Sequence, residues 1–210
     1  LMLAGILFAI AVAGIFLTHA HVGHYLGLAF LGREAFSASN LPVFCTPALG
    51  GFLLDNKPFR HLADRGEVVL CPTPPGLPMD LHGLRVTAFP VQHRNEDADT
   101  VGYRIEGGGR RILFIPDFDA YEPRILEEVA AADLAFLDAT FHSAGELGGR
   151  DQAALGHVLA TETMQVLAAH APKVCLIHLN HTNPLLDSVS PERREAEARG
   201  FRVAEEGSTL

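Results

Sequence analysis

Three histidines lie within a short stretch near the start of the sequence, at His19, His21 and His24. In extended backbone, residues two apart project to the same side, and a turn at Gly23 would let His24 close on the first two. Imidazole suits zinc, iron and related ions, and three converging imidazoles would be costly to protonate together at neutral pH. The cluster therefore predicts a metal site, with an exposed histidine-rich turn as the alternative.

Further residues of ligand type stand at the ends of other predicted strands, namely His93, Asp117 and His178. Each has an ordinary explanation by itself: a loop histidine, a helix cap and a core histidine bonded to backbone. Because the same placement recurs, we expect these residues to complete the metal site.

Four other polar residues are weaker candidates for the site. Asp138 and His142 follow another predicted strand end and could line the pocket, although loop structure is the simpler interpretation of His142. His181 and Asn183 could orient His178 through hydrogen bonds, with an asparagine-stabilised turn as the alternative. These residues are expected around the ligands rather than among them.

Short apolar segments alternate with helical patterns, which is typical of an α/β fold and puts the candidate ligands at strand ends. Strands are predicted at 14–18, 42–46, 67–71, 84–91, 101–106, 110–115, 134–138, 173–178 and 201–204. Helices are predicted at 24–36, 121–132, 159–170 and 191–199. The three glycines at 107–109 predict a hairpin between antiparallel strands, and the proline-rich segment 72–78 predicts a surface connection.

The bulk composition narrows the class of protein. With 210 residues and 48% hydrophobic content, the chain can fill the core of one globular unit. The formal net charge of −9 gives no broad positive field, so nucleic acid is not an expected partner. Cys45, Cys71 and Cys175 are odd in number and widely spaced, which argues against a disulfide framework and favours a reducing cytoplasm.

The sequence opens with an apolar run over residues 1–17. The run is slightly short of the about 20 residues that span a membrane, and no basic segment precedes it. A signal or membrane segment is one interpretation, and a buried strand or helix is the favoured one, so no membrane partner is expected. We predict a single domain over 1–210, with an apolar start at 1–13 whose role stays open.

The stretch THAHVGHYLGL resembles the HxHxDHxxG element of the metallo-β-lactamase superfamily. The segment QHRNEDADTVGYRIEGGGRRILFIPDFD is similar to one in ribonuclease Z, where a ligand histidine precedes a Gly-Tyr strand and a bridging aspartate follows. The segment VCLIHLNHTNPLLDSVSPERREAEARGFRVAEEG resembles the C-terminal end of the coenzyme PQQ synthesis protein B (PqqB) branch. The resemblance implies an αββα sandwich, truncated at the N-terminus because the strands that normally precede the histidine motif are absent.

The resemblance also implies two metal positions bridged by one aspartate. The ligands of the first ion would be His19, His21, His93 and Asp117. The ligands of the second ion would be His24, Asp117 and His178. Gly23 stands where the family pattern has aspartate, so the second position lacks one ligand. Two histidines and one carboxylate match the composition of a non-haem iron triad, although zinc also suits these ligands.

Three functions follow from the resemblance. A metal-dependent hydrolase would use activated water to attack an ester, amide or phosphodiester, with Asp117 in the active site and His157 as general acid. An exposed histidine at a helix start is the other interpretation of His157. The alternative is a PqqB-like iron-dependent oxidoreductase that acts on a tyrosine-derived substrate in pyrroloquinoline quinone (PQQ) biosynthesis. A non-catalytic metal-binding domain is the third.

The expected cofactor and substrate follow from these functions. We expect about one or two zinc ions per chain, with iron as the alternative. The expected substrate is a small molecule or a peptide-derived compound, and the oligomeric state stays open.

Overall fold

The computed structural model describes residues 12–207. The expectations for the apolar start therefore lie, up to residue 11, outside the described residues. The chain divides into two compact units, a first unit that ends at Thr73 and a second unit that begins at Pro74. The single domain over 1–210 stays a prediction. Across the described range, no helix combines the length and the apolarity needed to cross a membrane.

The first unit contains a parallel three-stranded sheet in the order β1-β2-β3. Its strands are β1 (Ile15–Phe16), β2 (Leu41–Cys45) and β3 (Val68–Pro72). Its helices are α1 (Val22–Tyr25), which continues as a 3₁₀ helix over Leu26–Leu31, α2 (Pro47–Asp55) and α3 (Lys57–Asp64). Parallel strands need a crossover connection, which α2 and α3 provide between β2 and β3.

The second unit contains a mixed seven-stranded sheet in the order β10-β9-β8-β7-β6-β5-β4. Its strands are β4 (Pro78–Leu81), β5 (Leu84–Pro90), β6 (Val101–Gly107), β7 (Arg110–Ile115), β8 (Leu134–Asp138), β9 (Val174–Ile177) and β10 (Arg202–Val203). Its helices are α4 (Pro123–Ala131), α5 (Gln152–Leu155), α6 (Ala160–Val166) and α7 (Pro191–Ala198), with 3₁₀ turns at Ala144–Leu147, Ala168–Lys173 and Pro184–Leu186.

The strand directions in the second unit bring the carboxyl ends of five strands, β5 and β7 to β10, to one edge of its sheet. Strands β7 to β10 pair in parallel, so their carboxyl ends share an edge. Strand β5 pairs antiparallel with β6, which pairs antiparallel with β7, so β5 and β7 run the same way. The predicted glycine hairpin makes the second of these pairings, with Gly108 and Gly109 at φ +58° and +75°. The edge therefore collects the residues that follow β5, β7, β8 and β9.

The core of the second unit holds this edge in place. Leu113, Leu137 and Leu176, on the adjacent strands β7, β8 and β9, are fully buried. Helix α4 adds Ile125 and Val129, which are four residues apart and so lie on one helix face. Burying each such side chain contributes about 1.5–3 kcal/mol, which fixes the strands whose ends carry polar groups.

The secondary-structure predictions were confirmed for the strands and were partly wrong for the helices. Each predicted strand is present with small shifts at its ends, but β4 was missed because Pro78 lies at its start, as is common in edge strands.

The helix predicted at 24–36 is wrong: the chain forms the short α1 and a 3₁₀ helix that stops before Gly32. The helix predicted at 159–170 also stops early, at Val166. Helices α2 and α3 were missed.

Candidate metal centre

The first unit places its three motif histidines in contact with one another. The rings of His19 and His21 have centroids 4.6 Å apart, and those of His19 and His24 are 4.2 Å apart. His19 Nε2 and His21 Nδ1 are separated by 3.0 Å, and His19 Nδ1 lies 3.0 Å from the Thr18 hydroxyl. The predicted convergence of these imidazoles is therefore present, at the end of β1 and the start of α1.

In the second unit, His93 and Asp117 face each other at the shared sheet edge. His93 follows β5 and Asp117 follows β7, and both are almost completely buried. His93 Nε2 lies 3.5 Å from Asp117 Oδ2. The other ring nitrogen, His93 Nδ1, lies 2.8 Å from Asp119 Oδ1. Because a carboxylate only accepts, the ring donates its Nδ1 proton to Asp119.

His178 approaches the same edge from the end of β9. Its Nδ1 atom lies 2.7 Å from the Thr140 hydroxyl and 3.2 Å from Asp117 Oδ1. The backbone of His178 has φ +62°, in the left-handed region that non-glycine residues rarely adopt. Such conformations persist only where the surroundings impose them, which is common at functional sites.

A second buried carboxylate, Asp138, ends β8 and holds His157. Asp138 is completely buried and accepts hydrogen bonds from the backbone N–H and the hydroxyl of Thr140, at 2.8 and 2.7 Å. Its other oxygen lies 2.7 Å from His157 Nδ1. The His157 ring is 5.4 Å from the ring of His93 and 5.8 Å from that of His178. His157 is thus mostly buried beside the candidate ligands, and the exposed helix-start interpretation is wrong.

The surroundings shift the two buried imidazoles in opposite directions. Burial lowers the pKa of His93 below its ordinary 6.5, outweighing the hydrogen bond to Asp119 and the charge of Asp117. Burial also acts to lower the pKa of His157, but the hydrogen bond to Asp138 and the charges of Asp138 and Asp117 outweigh it and raise that pKa above 6.5. The surroundings therefore favour the neutral form of His93 and the protonated form of His157.

This donor set fits a metal ion. A neutral His93 that donates from Nδ1 carries its lone pair at Nε2, which faces a carboxylate oxygen of Asp117. Two ligands of a tetrahedral zinc, each at about 2.0–2.1 Å, are about 3.3 Å apart, close to the distance observed here. Two electron-pair donors at this separation are the arrangement that a cation between them satisfies.

Comparison with known proteins identifies the family. The profile of the Beta-lactamase superfamily domain matches residues 9–179. Coenzyme PQQ synthesis protein B of Methylorubrum populi is 31% identical over 222 aligned residues, covering 93% of this chain and 72% of the relative. This chain belongs to the PqqB family of the metallo-β-lactamase superfamily.

Two further comparisons define the extent of the likeness. The crystal structure of Zn²⁺-bound PqqB from Methylobacterium extorquens matches with a TM-score of 0.81 and 27% identity, covering 94% of this chain and 72% of that one. The Gluconobacter oxydans PQQ synthesis protein B is 34% identical over 146 residues, 61% of this chain. That match spans about half, 48%, of the relative's own length. The predicted family and the α/β metallo-β-lactamase fold are confirmed.

One residue departs from the superfamily motif that the sequence resembles. Gly23 lies in α1, where the superfamily pattern has aspartate, and it is exposed. A Cβ atom built at Gly23 would have no heavy atom of the described residues within 4 Å. Packing therefore does not require glycine at this position.

The remaining sequence candidates take structural positions around the centre. Asn183 is buried and donates to the carbonyls of Ala139 and Thr140, at 2.6 and 3.2 Å, while its own oxygen caps the following 3₁₀ turn. The turn interpretation of Asn183 is thus the one observed. His181 is exposed, and the backbone N–H of His142 donates to Glu146 in a loop.

Two residues of the centre were missed by sequence reasoning, Asp119 and Thr140. Each lies two residues after an acidic residue that ends or follows a strand, in the patterns Asp117-x-Asp119 and Asp138-x-Thr140. That repeated spacing was the available signal. It does not by itself reveal a contact with a histidine that is 26 or 38 residues away in sequence.

Proposed function

We propose that this chain is a metal-dependent oxidoreductase of PQQ biosynthesis, acting on a small-molecule or peptide-derived substrate that contains a tyrosine-derived ring. Membership of the PqqB family supports the pathway, since the relatives are named coenzyme PQQ synthesis protein B. The observation that carries the metal dependence is the buried pair of His93 Nε2 and Asp117 Oδ2 at 3.5 Å. This proposal corresponds to the alternative in the sequence interpretation, which the comparisons favour over a general hydrolase.

The proposed ligands are those of the family motif. They are His19, His21, His24, His93, Asp117 and His178. When bound, iron would supply the activation of dioxygen that an oxidation needs, whereas zinc would supply a water of lowered pKa. Zinc is bound in the Methylobacterium extorquens relative. For this chain we propose iron at the position that Gly23 leaves with two histidines and one carboxylate.

The chain's own residues have distinct roles in this proposal. Asp119 holds the His93 ring so that Nε2 points toward Asp117. His157, held by Asp138, is placed to give or take a proton beside the ligands. The near-complete burial of His93, Asp117 and Asp138 limits the access of bulk water to these groups.

Genetic complementation combined with metal analysis tests the proposal. The full chain is expressed in a bacterium that lacks its own PqqB, and PQQ is measured in the medium. We expect production with the parent chain and none with Asp117→Asn, while the exposed Asp97→Asn serves as a matched control. Purified without chelator, the chain should hold about one or two ions and consume oxygen with tyrosine-containing dipeptides only after iron loading. A metal-free purified chain would overturn the proposal.

A metallo-hydrolase is the second candidate, because the His157–Asp138 pair is also the arrangement of a general acid in metal-assisted hydrolysis. The discriminating measurement is the cleavage of a generic ester or phosphodiester by the zinc-loaded chain. Zinc-dependent cleavage that His21→Ala abolishes, with no oxygen consumption in any metal form, would favour the hydrolase. Stoichiometric metal with neither activity would favour the third hypothesis, a non-catalytic metal-binding domain.

A further inference from the structure

The hydroxyl of Thr140 lies at the crossing of three side-chain contacts in the second unit. Thr140 Oγ1 is 2.7 Å from Asp138 Oδ1, 2.7 Å from His178 Nδ1 and 3.2 Å from His157 Nδ1. A hydroxyl has one proton to donate and two lone pairs with which to accept. The three contacts therefore cannot all receive the same proton, and the direction of each follows from the partners.

The proton of the Thr140 hydroxyl goes to Asp138. A carboxylate only accepts, and Asp138 Oδ1 also receives the backbone N–H of Thr140 at 2.8 Å. His157 Nδ1 donates to the other oxygen of Asp138 at 2.7 Å, a shorter contact than its 3.2 Å approach to Thr140. What remains on the hydroxyl are its two lone pairs, one of which faces His178.

His178 must then carry a proton on Nδ1. The Thr140 hydroxyl lies 2.7 Å from Nδ1 and has a lone pair that accepts this proton, whereas Asp117 Oδ1, at 3.2 Å, and Asp138 Oδ1, at 3.9 Å, lie farther away. In the neutral imidazole, a proton on Nδ1 leaves the lone pair on Nε2. His93 is held in the same tautomer, by direct donation to a carboxylate.

We propose that Thr140 is a positioning residue that fixes the tautomer of His178, so that Nε2 is the atom offered to the metal; this rests on the proposed metal dependence. The Thr140 hydroxyl donates its proton to the buried Asp138 and accepts the Nδ1 proton of His178. His178 Nδ1 lies 3.9 Å from Asp138 Oδ1, which is too far for a direct hydrogen bond. Hydrogen bonds of this kind orient most metal-binding histidines.

The backbone around both residues supports this role. The carbonyl of Thr140 accepts from the backbone N–H of Asn180, at 3.0 Å, and from the side chain of Asn183, at 3.2 Å. The segment that follows His178 thus returns to Thr140 and fixes its position. The left-handed backbone of His178 is strained, and the contacts of its ring and of this segment offset that strain.

Two substitutions of Thr140 separate the hydroxyl from the packing. Thr140→Val keeps the shape and removes the hydroxyl, while Thr140→Ser keeps the hydroxyl and removes a methyl group. The matched control is Thr87→Val in β5, because Thr87 is also buried and its hydroxyl has no hydrogen-bond partner among the described residues. Both Thr→Val changes replace a buried threonine of the second unit, but only Thr140→Val should affect metal binding.

The first readout is metal affinity, measured on the full chain by titration of Zn²⁺ against a chromophoric chelator. We expect Thr140→Val to weaken the binding of at least one ion by about 10–100-fold, Thr140→Ser to stay near the parent, and Thr87→Val to bind as the parent does. Equal affinity of Thr140→Val and the parent would overturn the inference.

The second readout is the tautomer itself. In the metal-free full chain, ¹⁵N NMR distinguishes a protonated from an unprotonated ring nitrogen. We expect the His178 Nδ1 signal to be that of a protonated nitrogen in the parent and in Thr140→Ser, and a mixture in Thr140→Val. A proton on Nε2 in the parent would overturn the inference. Neither readout needs turnover, so an absence of PQQ production would refute the proposed function and leave this result standing.

Discussion

Asp119 Oδ1 accepts the Nδ1 proton of His93 at 2.8 Å, while Nε2 of the same ring lies 3.5 Å from Asp117 Oδ2. The two aspartates are separated in sequence by Phe118 alone, and Phe118 is completely buried. One short segment after β7 therefore both faces Nε2 of His93 and orients its ring from the opposite side.

The first prediction concerns that orienting contact. Asp119→Ala removes the acceptor and lets the His93 proton move between its nitrogens, so we expect metal affinity to fall by about 10–100-fold. Asp119→Asn retains an acceptor oxygen and should lose less. Competition with a chelator gives both values, and the exposed Asp97→Ala is the control. Parent-like binding by Asp119→Ala would show that His93 needs no such partner.

The second prediction concerns Gly156, the residue before His157. A Cβ atom at Gly156 would lie 2.9 Å from Asp119 Oδ1, and its φ of +71° is left-handed. We expect Gly156→Ala to displace the Asp119 carboxylate and weaken metal binding by about tenfold. Gly149→Ala is a matched control, because Gly149 also has a left-handed φ, +82°, but open space around its Cβ. Equal metal affinity in the two variants would contradict this coupling.

The third prediction concerns position 23. Gly23→Asp adds the carboxylate of the family pattern at a site with room for it, so we expect more metal bound per chain than the parent binds. Gly27→Asp adds the same charge four residues later, also in open space, and should leave the stoichiometry unchanged. Elemental analysis compares the three chains. An unchanged metal content in Gly23→Asp would count against the ligand assignment.

The fourth prediction is a pH dependence that arises from His157. Its pKa is raised above 6.5 in the folded chain, so the pair with Asp138 stabilises the fold fully below the unfolded pKa and loses that contribution as pH rises through the folded pKa. We expect His157→Gln to be more destabilising at about pH 5.5 than at about pH 9. Urea unfolding of the chelator-treated chains measures this. The opposite order would mean that His157 is neutral in the fold.

The fifth prediction concerns the buried Arg193 of α7. Its guanidinium donates to the carbonyl of Leu185 at 3.1 Å and to Glu197 and Glu205 at 2.5 and 2.8 Å. Arg193→Met keeps much of the packing and removes these bonds, at an expected cost of about 1–3 kcal/mol in the free energy of unfolding. The neighbouring Arg194 is exposed, and Arg194→Met should change stability by less than about 0.5 kcal/mol. Chemical denaturation distinguishes the two.

The strands were predictable because their signal is local. Apolar runs such as 110–115 end at polar residues, and the glycines at 107–109 permit the hairpin that sets the direction of β7. The two antiparallel pairings of β6 and the parallel pairings of β7 to β9 then bring His93, Asp117 and His178 to one edge. Helix α2 was not predictable in this way. Gly50 and Gly51 lower its helix propensity, and the burial of Leu49 and Leu53 stabilises the helix instead.

The partners of the ligands were beyond sequence reasoning for a different reason. Nothing local distinguishes Asp119 from a surface aspartate, or Thr140 from a core threonine such as Thr87. Their roles depend on which imidazole the fold brings within about 3 Å, and that distance is set by sheet order and by the path of distant loops. Ligand types at strand ends can be read from a sequence, whereas the hydrogen bonds that orient them require coordinates.

The open space around Gly23 has an evolutionary consequence. A glycine codon of the form GGY becomes an aspartate codon by one base change, and among residues 12–207 no heavy atom lies within 4 Å of the Cβ atom that this change adds at Gly23. A lineage could therefore gain or lose this carboxylate in a single step without repacking the protein around it. Selection at position 23 can therefore act on the chemistry of the metal centre, with or without this carboxylate, rather than on the packing of the fold.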